Sequence, residues 1–498
     1  MKTLLARLTV RKMFLGTVLL LALLPAIETV QDPDFWWHIG VGDWILTHHQ
    51  IPHIDLFTYT VSTHEFIAHE WLSETIIAIL FRNLGMGAVA LFFGAVTWLG
   101  FFFILKTMKK QSFPFIGIAL LIGLLAGNPI WGPRPQMITF AGAAFVLYAL
   151  KHYRDYGQKK ILYPLPFIFI IWANCHAGFV IGLGFLVLFL MVEVFERKFL
   201  KTPKTFAIKP LVVITVLSFM AIAINPNFLE IYLYPIKTLG NSALQNLVDE
   251  WKSPNFHDHA FLAYEAMILL IITLLVGAKG KLKLFEAALL LITLDLSLHA
   301  VRNIVLFVVV AIPSLAFLLE TNWNQYIAPH WNPKPPPKTV LTGSINLAVL
   351  FLIAIIITPF ILPALVQSPT GKITNANFPV QAINSLHGTP PPGRVFNQFQ
   401  WGGYMTYRLP QTKIYIYGET TLLGNDFLNE YEAVVTLKPN YEKILSDRQI
   451  TWIIYATGAP LEVALETNPE WHITHKDKQA TILVRQTVQT NNYLSNFP

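Results

Sequence analysis

The chain has 498 residues, of which 54% are hydrophobic and only 13% charged, and its mean hydropathy is +0.50. A soluble domain carries roughly a quarter of its residues as charges, so this composition excludes a disordered chain, a fibrous protein and an ordinary soluble enzyme. The formal charge of +7 is not a nucleic-acid signature, because the lysines sit in short loops between apolar runs, where they set membrane orientation. Cys175 is the one cysteine, which excludes an intramolecular disulfide and a cysteine-based metal cluster.

In chain order, a basic start (Lys2, Arg7, Arg11, Lys12) precedes an apolar run from Met13 to Val30. That run is long for a signal peptide and no small-x-small cleavage site follows, so an uncleaved first helix is expected. A helix from Phe35 to His49 comes next. Phe66 to Phe81 is short, carries Glu70 and Glu74, and is expected to lie at the interface or half-buried. Further apolar runs fall at 86–105, 115–130, 136–150, 161–175, 178–195, 208–224, 261–277, 284–301, 303–319 and 340–363. With the first run they predict about eleven transmembrane helices. A proline linker, Pro333 to Pro337, is a stiff spacer before the last of them.

From residue 367 the long apolar runs stop. Short β-rich runs at Arg394–Phe399, Lys413–Tyr417, Thr451–Tyr455 and Ala480–Arg485 are separated by turn signals, with helices expected at Pro379–Leu386, Asn425–Leu437 and Pro460–Glu466. The predicted architecture is a polytopic α-helical membrane domain, residues 1–366 with a first outer loop at 31–85, followed by an α/β domain at 367–498.

The loops divide by charge. One set holds 21 of the 36 lysines and arginines, and the opposite set only five: Arg82, Arg134, Lys237, Lys252 and Arg302. The positive-inside rule places the N-terminus in the cytoplasm and the α/β domain outside. The outer loops also hold ten of the fifteen histidines.

The first outer loop opens Asp32-Pro33-Asp34-Phe35-Trp36-Trp37-His38. Carboxylates just beyond a membrane helix are costly without a task. Asp32 and Asp34 are candidates for a divalent cation (Mn or Mg), or one of them for a general base. The competing reading makes Asp34 a helix N-cap. In His69-Glu70-Trp71-Leu72-Ser73-Glu74 the second histidine of a zinc-protease motif is missing. Glu70 and Glu74 share one helix face, turned toward a cavity or toward water. His48, His49, His53 and His64 are a further metal candidate, or solvated loop residues.

Arg134, held between two prolines, suits bidentate phosphate contact, against the alternative of an interfacial arginine. His176 is placed to bond a phosphate or orient a carboxylate, or is a satisfied buried histidine. Asp295, His299 and Arg302 follow i, i+4, i+7 spacing on one predicted helix face, as a cavity-facing set or as a structural chain. Asp249 and Glu250 form a second acidic pair, for acceptor or metal, or a solvated loop pair. Tyr404, Tyr407 and Arg408 read as core packing sooner than sugar stacking.

With Asp32 after the first helix, the aromatic and helical stretch Trp36, Ile39, Trp44, then Pro52, about eleven spans and an outer C-terminal domain, the chain resembles the GT-C superfamily of integral-membrane glycosyltransferases. The resemblance implies a polyprenyl-phosphate-sugar lipid donor, a glycan, lipid or protein acceptor, and Asp32, with Asp34 second, as the acid that activates the acceptor or binds metal. Pro33 between the acids departs from that superfamily's common Asp-Glu pair. The chain also resembles a bacterial membrane family carrying DPDxWWH, HEWLSE, RPQ and WAN-H-GF segments, which implies a bacterial plasma-membrane location. Alternatives at this level are an O-antigen-type polymerase or ligase, a lipid or solute transporter, and a non-catalytic scaffold.

Overall fold

The computed structural model describes residues 9–21, 32–202, 206–240, 245, 248–278, 282–330, 340–366 and 378–495. The end of the first apolar run and the linker Pro333–Pro337 lie outside the described residues. The chain packs as two compact units, one of residues 1–28, 86–231 and 248–366, the other of residues 29–85, 232–247 and 367–498. The first outer loop, attached by sequence to the membrane segment, therefore belongs with the C-terminal segment.

The first unit is helical. Every apolar run from residue 86 onward coincides with a helix, among them Met86–Thr107, Gln136–Tyr156, Phe179–Lys198, Leu284–His299 and Ile304–Asn322. Among the described residues four helical stretches are long and apolar enough to cross a membrane: Met86–Thr107, Phe179–Lys198, His259–Gly277 and Val301–Ile327. Their burial separates their roles. In Val301–Ile327 78% of the apolar window is buried, against 17% in His259–Gly277. The former is the centre of the bundle. The latter turns side chains such as Leu269 and Val276 outward, as hydrocarbon requires of a helix at the bundle rim.

Two buried indoles of this unit are paired. The Trp131 indole donates to the Leu124 carbonyl at 2.8 Å, and the Trp172 indole to Thr139 Oγ1 at 2.9 Å. Cys175 is 2% exposed in the same core. A buried thiol is inert until its surroundings open. A maleimide dye is thus expected to leave the native protein unlabelled and to react only as this unit unfolds. Rapid labelling of native protein would show that the core around Cys175 is open.

The second unit is built on a four-stranded sheet of β1 (Arg394–Asn397), β2 (Ile450–Ala456), β3 (Trp471–Lys476) and β4 (Ala480–Arg485), in the order β1-β2-β4-β3. β1 and β2 are parallel, and the other pairings are antiparallel. The central β2 and β4 read as apolar runs because both faces are covered, whereas β3 is an edge strand with exposed residues. The predicted strand at Lys413–Tyr417 is not one. Ile414 makes a single parallel bridge with Thr58, and the segment lies along the first loop instead. That loop is stitched to it by Ile414 N to Phe57 O (3.0 Å), Thr60 Oγ1 to Tyr415 O (2.7 Å) and Tyr417 OH to Asp55 Oδ1 (2.9 Å).

Two helices of the first loop, Phe35–His48 and Trp71–Leu84, pack on one another. The second begins at Trp71, not Phe66, because residues 66–70 are held by loop contacts such as Phe66 N to His53 O. Gly42 permits the close approach, since a Cβ there would lie 2.1 Å from the Glu74 carbonyl oxygen. An Asp43–Arg82 ion pair of 2.5 Å ties the same helices at their margin.

Candidate functional site

The second unit buries a cluster of ionisable side chains. His38 comes from the first turn of Phe35–His48. Glu70 stands at the N-cap of Trp71–Leu84 and Glu74 in that helix's first turn, so they share a face one turn apart. Carboxylates at this end are favoured by the helix dipole. His38 Nδ1 is 3.2 Å from Glu74 Oε1, and Nε2 is 3.6 Å from Glu70 Oε2. His69 Nε2 is 3.4 Å from Glu70 Oε1, and its Nδ1 is 4.0 Å from Glu419 Oε2. Tyr234 stacks on His69 with centroids 3.9 Å apart. All five ionisable groups are less than a tenth exposed.

The electrostatics follow from this geometry. Burial, the largest influence, opposes a charge on His38. The hydrogen bond to Glu74 and the charges of Glu70 and Glu74 outweigh it and raise the imidazole to about 9. His69 is raised in the same way by Glu70 and Glu419 against burial. Burial pushes Glu74 and Glu419 up despite their histidine partners. Three carboxylates thus face two imidazoles. Glu74 Oε2 is buried with no hydrogen-bond partner. The donor atoms of His38, Glu70 and Glu74 lie within 4.8 Å of one another. Two carboxylates and one imidazole, converging and including an orphaned oxygen, fit a divalent cation of the Mn²⁺, Mg²⁺ or Zn²⁺ type.

Asp32 and Asp34 stand beside this cluster in the chain. Asp32 Oδ1 accepts the Asp34 amide at 3.0 Å, and Asp34 Oδ1 accepts the Trp37 indole at 3.0 Å. Asp34 occupies the N-cap position without a side-chain cap bond. Its carboxylate instead lies against Gly418, where any Cβ would collide with Asp34 Oδ1. Among the described residues the converging metal-type set is His38, Glu70 and Glu74, not Asp32 with Asp34. Glu70, expected to face a cavity or water, faces His38 and His69. His48, His49, His53 and His64 do not converge: His48 stacks on Trp44, and His64 bonds the Leu422 carbonyl. Tyr404 is fully buried against Trp36 and binds Arg408, and Tyr407 packs on the same indole, so these side chains build core.

The remaining candidates lie in the first unit. Arg134 donates Nη1 and Nη2 to Glu250 Oε1 and Oε2, each at 2.5 Å, the bidentate geometry expected of a phosphate contact but made to a carboxylate. Burial raises Glu250, but Arg134 and, more weakly, Arg302 hold it below the usual carboxylate range. Arg302 also lies over the Trp251 ring at 4.5 Å. The fold thereby gathers Arg134 and Arg302 around one anionic group. Asp249, by contrast, is exposed and pairs with Lys252. His176 Nδ1 accepts from Thr139 Oγ1 (2.7 Å) and from the Gly178 amide (2.9 Å), which ties two helices.

The expected Asp295–His299–Arg302 face does not form. The helix stops at His299, Ala300 is extended, and Arg302 lies in a separate turn. Asp295 and His299 are exposed and turned outward.

The groups that the sequence did not single out are His38, His69 and Glu419; Glu250 was read with Asp249 as an acidic pair and not as the partner of Arg134. A buried helix face through His38 was the only local signal. Glu419 reaches His69 across 350 residues of chain, which no spacing rule can show.

No protein-family model matches the chain, and no curated protein sequence is similar to it. Solved structures are similar in fold. The oligosaccharyltransferase AglB of Archaeoglobus fulgidus, in complex with an inhibitory peptide and a dolichol-phosphate, matches 94% of this chain and 74% of its own length at a TM-score of 0.58 and 9% identity. Its apo form matches 88% and 69% at 0.52 and 11% identity. ArnT of Cupriavidus metallidurans, bound to undecaprenyl phosphate, matches 96% and 98% at 0.49 and 13% identity. The likeness to the oligosaccharyltransferase is one of fold, across nearly the whole chain. It supports a polytopic membrane fold with a C-terminal sheet domain.

Proposed function

We propose that the chain is a membrane glycosyltransferase that moves a sugar from a polyprenyl-phosphate-linked donor to a glycan, lipid or protein acceptor on the outer face of a bacterial plasma membrane. The observation that carries this reading is the fold likeness to an oligosaccharyltransferase over 94% of the chain. The charge asymmetry of the loops supports a cytoplasmic N-terminus and an outer C-terminal domain.

In this reading Asp32 accepts the proton of an acceptor hydroxyl or amine as that group attacks C1 of the sugar. Asp34, braced by Trp37, keeps a second negative charge beside it. Arg134 and Arg302 bind the donor phosphate and stabilise the charge that grows on it as the sugar leaves. Arg134 exchanges Glu250 for that phosphate, and His176 is a further phosphate contact. Asp249 and His299, both exposed, are further candidate contacts for substrate. His38, Glu70 and Glu74 would hold a divalent cation, and Glu419 and His69 orient Glu70 behind it. Such a cation would supply positive charge to an anionic group bound at that cluster.

The test is sugar transfer from polyprenyl-phosphate sugars by purified wild type and Asp32→Asn, with Mn²⁺ and with EDTA. Removing a general base costs about 100- to 10,000-fold. Transfer by the wild type, lost to that extent in a folded Asp32→Asn variant, is the expected result. Undiminished transfer in the variant would remove Asp32 as the base. No transfer from any donor by folded wild type would favour a transporter or scaffold.

A further inference from the structure

At the opposite end of the first unit from Arg134 lies a second polar site. The 21-residue helix Gln136–Tyr156 separates the two by roughly 30 Å. Here a cavity of about 240 Å³ opens between four helices, lined by Lys110, Lys151, Arg154, Asp155, Lys283 and Glu286. Lys110 Nζ is 2.9 Å and Lys283 Nζ 3.8 Å from Asp155. Glu286 bridges the Arg154 guanidinium and Lys151 Nζ, the latter at 3.9 Å. Each carboxylate is therefore shared by two cations. Four positive charges face two negative ones, and two remain uncompensated.

Lysines on this face are expected from the positive-inside pattern, but free lysines reach into water. Lys151 is only 18% and Arg154 only 10% exposed. The Arg154 guanidinium lies over the Phe189 ring at 5.9 Å, and its edge binds Glu286. Its Nε is buried with no hydrogen-bond partner. An unpaired donor and two excess charges beside hydrocarbon are costly unless an anion joins them.

We propose that this cavity binds a phosphate group, with Lys110, Lys151, Arg154 and Lys283 as its cationic walls. The proposal does not depend on the glycosyltransferase reading. A phosphate carries two negative charges and several acceptor oxygens, matching both the excess charge and the free donor. It can belong to the headgroup of an anionic lipid in the leaflet that the charge pattern assigns to the cytoplasm, or to a soluble phosphate. Basic pockets between membrane helices on that side suit either.

The test uses the full chain purified in detergent. Native mass spectrometry reads retention of phosphatidic acid against phosphatidylcholine of the same acyl chains, and thermal unfolding is followed with inorganic phosphate. The double variant Lys110→Gln/Lys283→Gln is compared with wild type, since both side chains are more than half exposed. Lys283→Gln alone serves if the double variant is poorly folded. Wild type is expected to prefer phosphatidic acid at least about tenfold and the variant to lose most of that preference. A phosphate-induced rise in unfolding temperature without lipid, absent in the variant, assigns the site to a soluble phosphate. Equal retention of both lipids together with no phosphate response, or a preference or response unchanged in the variant, overturns the proposal.

Discussion

Glu74→Gln is expected to lower the affinity of the protein for Mn²⁺ by at least about 100-fold, because loss of mere outer-shell support to a metal ligand already costs 10- to 100-fold. Glu74 is one of three converging donors, and its Oε2 is buried without a partner. The amide keeps the volume and removes the charge. Calorimetric titration of the purified chain measures the effect without any turnover. Wild-type affinity in the variant would show that the cluster is a purely protonic network of histidines and glutamates.

The same titration has a pH signature. His38 is raised from an ordinary 6.5 to about 9, so its proton stabilises the cation-free cluster fully below about 6.5. That contribution is lost as pH rises through about 9. A metal ligand must give up its proton. Cation affinity should therefore climb up to about tenfold per pH unit between pH 7 and 9 and level off above. A flat profile would exclude His38 as a ligand.

Gly42→Ala is expected to destabilise the second unit by about 3 kcal/mol, the upper part of the usual overpacking range. Two effects compete. Alanine improves helix propensity by about 1 kcal/mol. Its Cβ would, however, sit 2.1 Å from the Glu74 carbonyl oxygen and 2.8 Å from Ala78 Cβ. Backbone cannot yield as a side chain does, so the helices Phe35–His48 and Trp71–Leu84 must part. Because Glu74 rides on the displaced backbone, cation affinity should fall with stability, although no donor is removed. Thermal unfolding and Mn²⁺ titration of the variant check both. A raised unfolding temperature would mean that the two helices are not in contact at Gly42.

Much of the helical unit was legible in the sequence. The runs beginning at 86, 136, 178, 284 and 303 fall on helices, because a helix in hydrocarbon must satisfy its own backbone and therefore writes itself as one long apolar string. The strands β1, β2 and β4 were equally local signals. β3 was not, since an edge strand carrying His472, His475 and Lys476 has no apolar pattern to betray it. Lys413–Tyr417 has the composition of a strand, and tertiary pairing with residues 57–60 overrode it.

The site divided along the same line. Spacing alone set Glu70 and Glu74 on one face, since i and i+4 are neighbours on any helix. The flanking prolines marked Arg134 as a held cation, whereas spacing assigned Arg302 to a face with Asp295 and His299 that does not form. Which partner each one meets was decided only by the folded chain. His38 reaches Glu74, His69 reaches Glu419 and Arg134 reaches Glu250 across separations of 36, 350 and 116 residues. Local sequence determines which groups are costly to bury. Only the packing of distant segments decides what compensates them, because electrostatic pairing depends on distance in space and is blind to distance along the chain.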